Sequence, residues 1–458
     1  MTQIAHTRIP RLESSKTYGV LGLGKSGRSA ADFLLEHGCG VILADDNSEV
    51  FETTEVRLLI ERGALRSTGT NTLDYLVVSP GVAPSHPMIA GAHENCVIMS
   101  ELELAYHHYT GRILSVTGSD GKSTTCALLA HVLNHAGYDV TLTGNIGTPF
   151  TSVVNGLDSD SLAVVEVSSY QLELTEVFRS EVATVLNLAP DHLARHGSMD
   201  AYAAAKARIF SLQDSKGWQV INADQPELRN LLPRETDRCM TFSLEEPQRF
   251  GSWYEYNELR YQTPSSDPVS IMPASDIRII GRHNIANALA VIALTVPFEI
   301  EPSKLAGGLS TFPGLPHRLE RIGSSNGILF INDSKATNSH AAVNGLLCFD
   351  APMVVLMGGK DKGLSFSELL PALKSRARAI IAFGESGPRI KRELGDEVTT
   401  QLSQDLDEAL YRAVLIAQRG DIVILSPACS SFDQYGSFEE RGDHFRSLVT
   451  SLPNFVNK

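Results

Sequence analysis

A short apolar run, Ile113–Thr117, turns through Gly118-Ser119-Asp120-Gly121-Lys122-Ser123 directly into a helical pattern from Ser123 to His135. That order, more than any other feature, commits the chain to an α/β fold. A strand that enters a helix through glycines leaves backbone N–H groups at the positive end of the helix dipole, a ready site for phosphate. Gly118 and Gly121 let the backbone wrap an anion. Lys122 offers a point charge to the terminal phosphates, and Ser123 offers a hydroxyl to Mg²⁺. The stretch is shorter than a full G-x-x-x-x-G-K-[ST] loop, because Val116 stands where the first glycine would be.

A related unit lies upstream. Tyr18–Leu21 leads into Gly22-Leu23-Gly24-Lys25-Ser26-Gly27, a helical pattern runs from Ser29 to Glu36, and a second apolar run, Val41–Ala44, ends at Asp45-Asp46. A G-x-G-x-x-G loop after a strand, with an acid about 20 residues on, is the dinucleotide pattern. By itself it fits a nicotinamide-dependent oxidoreductase, a tight turn in any doubly wound domain, or a site for another nucleotide diphosphate. An oxidoreductase would need a hydride-transfer site downstream, and the chain supplies a second phosphate loop instead.

The length of 458 residues suits about three domains. A hydrophobic content of 43% with 20% charged residues is that of a globular chain. No apolar run is long enough to span a bilayer, and the N-terminus lacks a signal-peptide core, so the cytoplasm is the expected compartment. A net charge of −14 argues against broad nucleic-acid binding. The six cysteines are scattered without metal-finger spacing and read as reduced thiols. Nothing demands more than a monomer.

Strand-like runs at Tyr75–Val78, Ala163–Val167, Val182–Leu188 and Gln219–Asn222, with a helix at Arg282–Leu294, continue the alternation. Pro313-Gly314-Leu315-Pro316 reads as a linker, and runs at Ile328–Ile331, Met353–Met357, Ala379–Ala382 and Ile422–Leu425 follow it. The expected organisation is a Rossmann-like domain at 1–107, a central P-loop-type ATPase domain with a parallel sheet at 108–313, and a second Rossmann-like domain at 314–458. Glu166 ends its strand-like run, where a carboxylate can face the phosphate loop and share its Mg²⁺. His192 follows the next run; a lone loop histidine is otherwise a structural or solvated residue.

Together with these loops, the stretches TGNIGTP (143–149), EVSSYQLE (166–173), DHLARHGSMDAYAAAK (191–206), GRHNIANALA (281–290), GLPHRLE (314–320), INDSKATN (331–338), GGKDKG (358–363) and SPACSSFDQYGSFEERG (426–442) resemble the Mur ligase superfamily over essentially the whole chain. EVSSYQLE and the SPAC-to-ERG segment point to its glutamate-adding branch. The resemblance implies an ATP-dependent ligase of peptidoglycan precursor synthesis. It would join D-glutamate to UDP-N-acetylmuramoyl-L-alanine through an acyl phosphate. A ligase adding another amino acid, L-glutamate included, is the nearest alternative, and a catalytically silent nucleotide-binding regulator is a more distant one.

The same resemblance assigns residues. Gly22, Leu23, Gly24, Lys25, Ser26, Gly27, Asp45, Asp46, Gly81 and Asn145 would hold the UDP-linked acceptor, with His317 contacting it. ATP would meet Gly118, Ser119, Asp120, Gly121, Lys122, Ser123, Thr124, Asn284, Asn287, Arg318 and Asp333. Mg²⁺ would be held by Ser123 and Glu166 and a second Mg²⁺ by His192, and a carbamylated Lys206 would offer oxygens to Mg²⁺. Lys335 would face the transferring phosphoryl group, and Thr337, Lys362, Ser431 and Phe438 the glutamate. Two positions depart from the pattern: Asp120 replaces a common asparagine, and Ala194 a residue that is often acidic.

Overall fold

The computed structural model describes residues 12–69, 72–233, 237–361, 363 and 365–457. It has three domains, each built around its own sheet. The first sheet is five-stranded and parallel, in the order Leu65–Arg66, Gly40–Ala44, Thr17–Leu21, Tyr75–Val78, Val97–Ser100. Chain order reverses between Thr17–Leu21 and Tyr75–Val78. Such a switch point opens a crevice at the strands' carboxyl ends, where Gly22–Gly27 and Ser79–Gly81 begin.

The second sheet has nine strands. Arg112–Thr117 lies between Leu162–Glu166 and Val182–Val185, both parallel to it, so the glycine loop, Glu166 and Asn187 emerge at one edge. Val182–Val185 is shorter than the expected run to Leu188, because the chain leaves the sheet to brace the glycine loop. The far end of the sheet was not legible as strands: Glu258–Gln262 and Val269–Pro273 extend it antiparallel beyond Gly251–Glu255.

The third sheet runs Thr400–Leu402, Ala377–Phe383, Met353–Gly358, Ile422–Leu425, Ile328–Asn332, parallel, and closes with antiparallel Glu320–Ser325 and Phe455–Asn457. Its middle strands read as unbroken apolar runs because both faces are covered. Val355, Met357, Ile380 and Ile424 pack into one core, whereas Val354, Leu356, Ile381 and Val423 pack into the other.

The chain divides into two compact units, Met1–Ile277 with Ile285–Phe312, and Arg278–Asn284 with Pro313–Lys458. The first unit contains two sheets joined by one continuous apolar core, from Val20 and Leu34 through Leu104 and Phe150 to Val165 and Val185. Packing is therefore continuous across the expected boundary at residue 107. Glu101 and Glu103, on the short helix Glu101–Tyr106, are both buried, and both carboxylates accept hydrogen bonds from the central domain. Glu101 Oε1 accepts from the Thr151 N–H (2.6 Å) and hydroxyl (2.7 Å). Glu103 accepts from three successive backbone N–H groups, Glu176 to Phe178.

Candidate functional site

The phosphate loop is preorganised by residues far away in sequence. Gly121 has φ +80° and precedes the helix Lys122–Ala136; a Cβ there would lie 2.6 Å from Asn287 Oδ1. Asn287 is buried and also accepts from the Thr125 hydroxyl at 3.2 Å. Thr124 is buried in the first turn of the same helix. Asn284, at the start of the helix Arg282–Thr295, donates from Nδ2 to the Ile280 carbonyl at 2.7 Å. Asn187, which sequence reasoning passed over, staples the loop: its Oδ1 accepts from the N–H groups of Ser119 (3.0 Å) and Asp120 (2.8 Å), and its Nδ2 donates to Asp120 O. A polar amide near the end of the expected run Val182–Leu188 was the available signal.

Two lysines converge here. Lys122 Nζ donates to the carbonyls of Gly118 and Ser119, both at 2.8 Å. Lys206, on the helix Met199–Ser211, is 1% exposed and donates to the same Gly118 carbonyl at 2.8 Å. Burial, and then the charge of Lys122, lower the Lys206 pKa to about 7. The amine is thus held where its neutral form is accessible near neutral pH.

Glu166 is the last residue of its strand and is 2% exposed. Its Oε1 accepts from Asn145 Nδ2 at 2.9 Å, while its buried Oε2 has no hydrogen-bond partner in the protein. A buried carboxylate oxygen left alone is costly, and a hard cation would satisfy it. Among the described residues no three His, Cys, Asp or Glu side chains form a metal cluster. Mg²⁺ takes one or two protein oxygens and completes its shell with phosphate and water. His192 has a left-handed backbone (φ 54°) before the short helix Leu193–His196; its Nε2 lies 3.1 Å from Asp191 Oδ2 and its ring 5.0 Å from that of Tyr170. Asp120 is exposed.

The upstream loop is built differently. A Cβ at Gly27 would lie 1.9 Å from the Gly22 carbonyl, so only glycine fits where the helix meets its own loop. Asp45 spends both oxygens on backbone, accepting from Leu23 N–H (2.6 Å) and Asn47 N–H (2.8 Å). Asp46 is open and pairs with His86 Nε2 at 3.1 Å, a partner the sequence did not suggest. Lys25 Nζ donates to the Gly147 carbonyl, and Ser29 Oγ lies 2.7 Å from Thr151 Oγ1. The Gly22 loop and the Asn145–Gly147 turn therefore meet.

In the second unit, Asp333 and Lys335 follow one strand and Ser431 the neighbouring parallel one. Asp333 is buried, accepts from Leu319 N–H and the Ser426 hydroxyl, and burial pushes its pKa up to about 7 against these bonds and the charge of Arg318. Lys335 Nζ sits 5.6 Å over the Phe438 ring. The Thr337 N–H donates to Lys335 O at 2.9 Å. His317, φ 62°, is 5% exposed, contacts Asn332 Nδ2 at 3.1 Å, and has its pKa lowered by burial. Arg441 was missed: fully buried, it donates to Ser334 Oγ and O, Cys429 O and Gly358 O, and so ties three strand-end loops together. Burial lowers its guanidinium to about 10, still charged at neutral pH. Lys362 lies outside the described residues.

Known proteins resemble this chain along most of its length. Residues 116–295 match the Mur ligase middle domain, 317–429 the Mur ligase glutamate ligase domain, and 16–100 the MurD-like N-terminal domain of Mur ligases. The chain belongs to the Mur ligase family. A UDP-N-acetylmuramoylalanine–D-glutamate ligase from Koribacter versatilis is 36% identical over 441 residues, 94% of this chain and 97% of that protein. One from Pelotomaculum thermopropionicum is 37% identical with the same coverage. Among solved Mur ligases, MurF from Acinetobacter baumannii superposes with a TM-score of 0.60 at 19% identity, covering 90% of this chain and 91% of its own. The UDP-N-acetylmuramate-alanine ligase from Thermotoga maritima gives 0.58 at 19% identity, covering 95% and 99%. These two share the three-domain fold. No helix among the described residues is long and apolar enough to cross a membrane.

Proposed function

We propose that this Mur ligase joins D-glutamate to UDP-N-acetylmuramoyl-L-alanine at the expense of ATP, in peptidoglycan precursor synthesis, and works as a cytoplasmic monomer. The observation that carries the reading is the match along 94% of the chain to relatives that each bear the D-glutamate ligase name. The convergence of Lys122, Lys206 and Glu166 on one sheet edge supplies the chemistry.

The alanyl carboxylate attacks the γ-phosphorus of ATP, ADP leaves, and the amine of D-glutamate displaces phosphate from the resulting acyl phosphate through a tetrahedral intermediate. ATP is required because a carboxylate resists attack by an amine at neutral pH. Backbone N–H groups of Gly118–Ser123 and the Lys122 ammonium hold the phosphates and neutralise charge in transit. Mg²⁺, when bound, lowers the charge on the phosphoryl oxygens; Ser123 and Glu166 would hold one ion and His192 a second. Lys206 is placed to react with CO₂, since only a neutral amine does so, and the carbamate gives an oxygen-donor anion where an ammonium would repel a cation. Asn284 and Asn287 brace the nucleotide side, Arg318, Asp333 and Lys335 serve the phosphoryl group, and Thr337, Lys362, Ser431 and Phe438 the glutamate. Gly22–Gly27, Asp45, Asp46, Gly81, Asn145 and His317 serve the acceptor. The domain divisions follow at 107/108 and 313/314.

The test is phosphate release with ATP, Mg²⁺, UDP-N-acetylmuramoyl-L-alanine and a panel of D- and L-amino acids. Release that depends on D-glutamate supports the reading. Release with a different amino acid alone, or none, overturns it.

A further inference from the structure

Arg195 stands three residues after His192, on the short helix Leu193–His196, with a side chain only 13% exposed. Its Nη1 donates to the carbonyls of Pro80 (3.0 Å) and Val82 (2.7 Å), on either side of Gly81. Its Nε and Nη2 both reach Glu173 Oε2, at 3.2 and 2.9 Å, and its guanidinium carbon lies 4.1 Å over the Tyr170 ring. The neighbouring His196 takes the other oxygen of Glu173 at 3.0 Å and meets Ser169 Oγ at 3.0 Å. One planar fork therefore binds three segments: the loop at the carboxyl end of Tyr75–Val78, the Ser169–Glu173 helix, and the segment that carries His192.

We propose that Arg195 is a positioning residue that holds the Gly81 loop and the His192 segment in one register. This rests on the ligase reading above, in which Gly81 serves the UDP-linked acceptor and His192 a second Mg²⁺. The peptide unit explains how the grip is transmitted. A trans peptide is planar, so a Pro80 carbonyl held on Arg195 leaves the Gly81 N–H pointing the opposite way within that plane. The same grip on Val82 O sets the next turn. Lysine cannot replace this fork, because a single ammonium lacks its fixed, flat set of donors and its stacking face. The Glu173 carboxylate and the Tyr170 ring hold the guanidinium from the central domain, leaving Nη1 to span to the first. Acceptor affinity and metal requirement should accordingly move together when Arg195 is changed, with ATP affinity left alone.

The experiment compares the full-length wild type with Arg195→Lys and, as a milder cut, Glu173→Gln. Calorimetric titration with UDP-N-acetylmuramoyl-L-alanine should show binding weakened about ten-fold in Arg195→Lys and less in Glu173→Gln, as expected for loss of a charge-assisted hydrogen bond. In steady-state assays the acceptor KM and the half-saturating Mg²⁺ should rise together, the ATP KM should stay within about two-fold, and the melting temperature should move little. Equal acceptor binding in the wild type and both variants overturns the inference alone, with the ligase reading intact. So does a loss shared equally by ATP KM, acceptor KM and melting temperature, which marks general damage. If Arg195→Lys fails to fold, an unchanged acceptor affinity in Glu173→Gln overturns it. A wild type that binds no UDP-linked acceptor overturns the ligase reading and this inference together.

Discussion

The two glycine loops share one plan, strand to glycines to helix, and differ in what their lysine and their acid are free to do. In the upstream loop Lys25 reaches out to Gly147 O, and Asp45 turns both oxygens onto its own backbone. In the downstream loop Lys122 folds back onto Gly118 and Ser119, and Glu166 keeps a buried oxygen without a protein partner. Upstream, the acid Asp45 is spent on shape; downstream, one oxygen of Glu166 is left over for a ligand. A motif alone reports a place where phosphate can sit. What the site does with phosphate is decided by the groups left over once the backbone is satisfied.

The sharpest way to break the comparison is to remove each lysine in turn. Lys122→Ala should lower kcat by about 10²–10³-fold, the usual loss when a donor to developing charge is removed. Lys25→Ala should raise the acceptor KM by only a few-fold, about what an exposed charge contributes. Equal losses in steady-state kinetics would erase the distinction.

Lys206 comes next. Lys206→Ala should lose about 100-fold or more in activity, partly restored by short carboxylates, if a carbamate supplies oxygens there. Carbon-13 spectra under labelled CO₂ should show a carbamate that fades as pH falls through about 7, where the amine becomes protonated. The stability consequence has a definite sign. Between about 7 and the ordinary value of 10.5, the unfolded chain holds a proton on Lys206 that the folded chain has released. Stability relative to Lys206→Met should thus rise with pH across that window and be flat below it. Chemical denaturation of both proteins at pH 6, 7 and 10 measures this; a difference that ignores pH would contradict the buried placement.

Asp45→Ala tests the upstream acid. It should lower stability by about 1–2 kcal/mol through two lost charge-assisted hydrogen bonds and weaken acceptor binding, with ATP KM unchanged. The smallest effect belongs to Asp120→Asn. Removing an exposed negative charge from the phosphate loop should lower the ATP KM by about two-fold at low salt, and by less as salt rises. A rise in ATP KM would show that the carboxylate serves the site.

Much of the plan was legible. Tyr75–Val78 and Ile422–Leu425 are strands with the bounds their apolar runs suggested, and the helix after Gly121 starts at Lys122. These succeed because the pattern is local and the turn chemistry is strict. The antiparallel strands Glu258–Gln262 and Val269–Pro273 were not legible, since these partly exposed strands at the end of the sheet mix polar and apolar residues without a clear period. In the site, Lys122 and Glu166 could be placed by their position at strand ends. Asn187, His86, Arg195 and Arg441 could not, because each acts on segments dozens of residues away.

Sequence by itself determined the doubly wound character, the two loops that can cradle phosphate, and the residue types on offer. Tertiary structure alone decided that Lys206 is buried beside Lys122 and so sits near neutrality, that one oxygen of Glu166 is left over, and that Arg195 joins the Gly81 loop to the His192 segment. The physical reason is range. Periodicity and turn preference are written in neighbouring residues. Burial, charge proximity and hydrogen-bond satisfaction are properties of groups brought together from opposite ends of a domain.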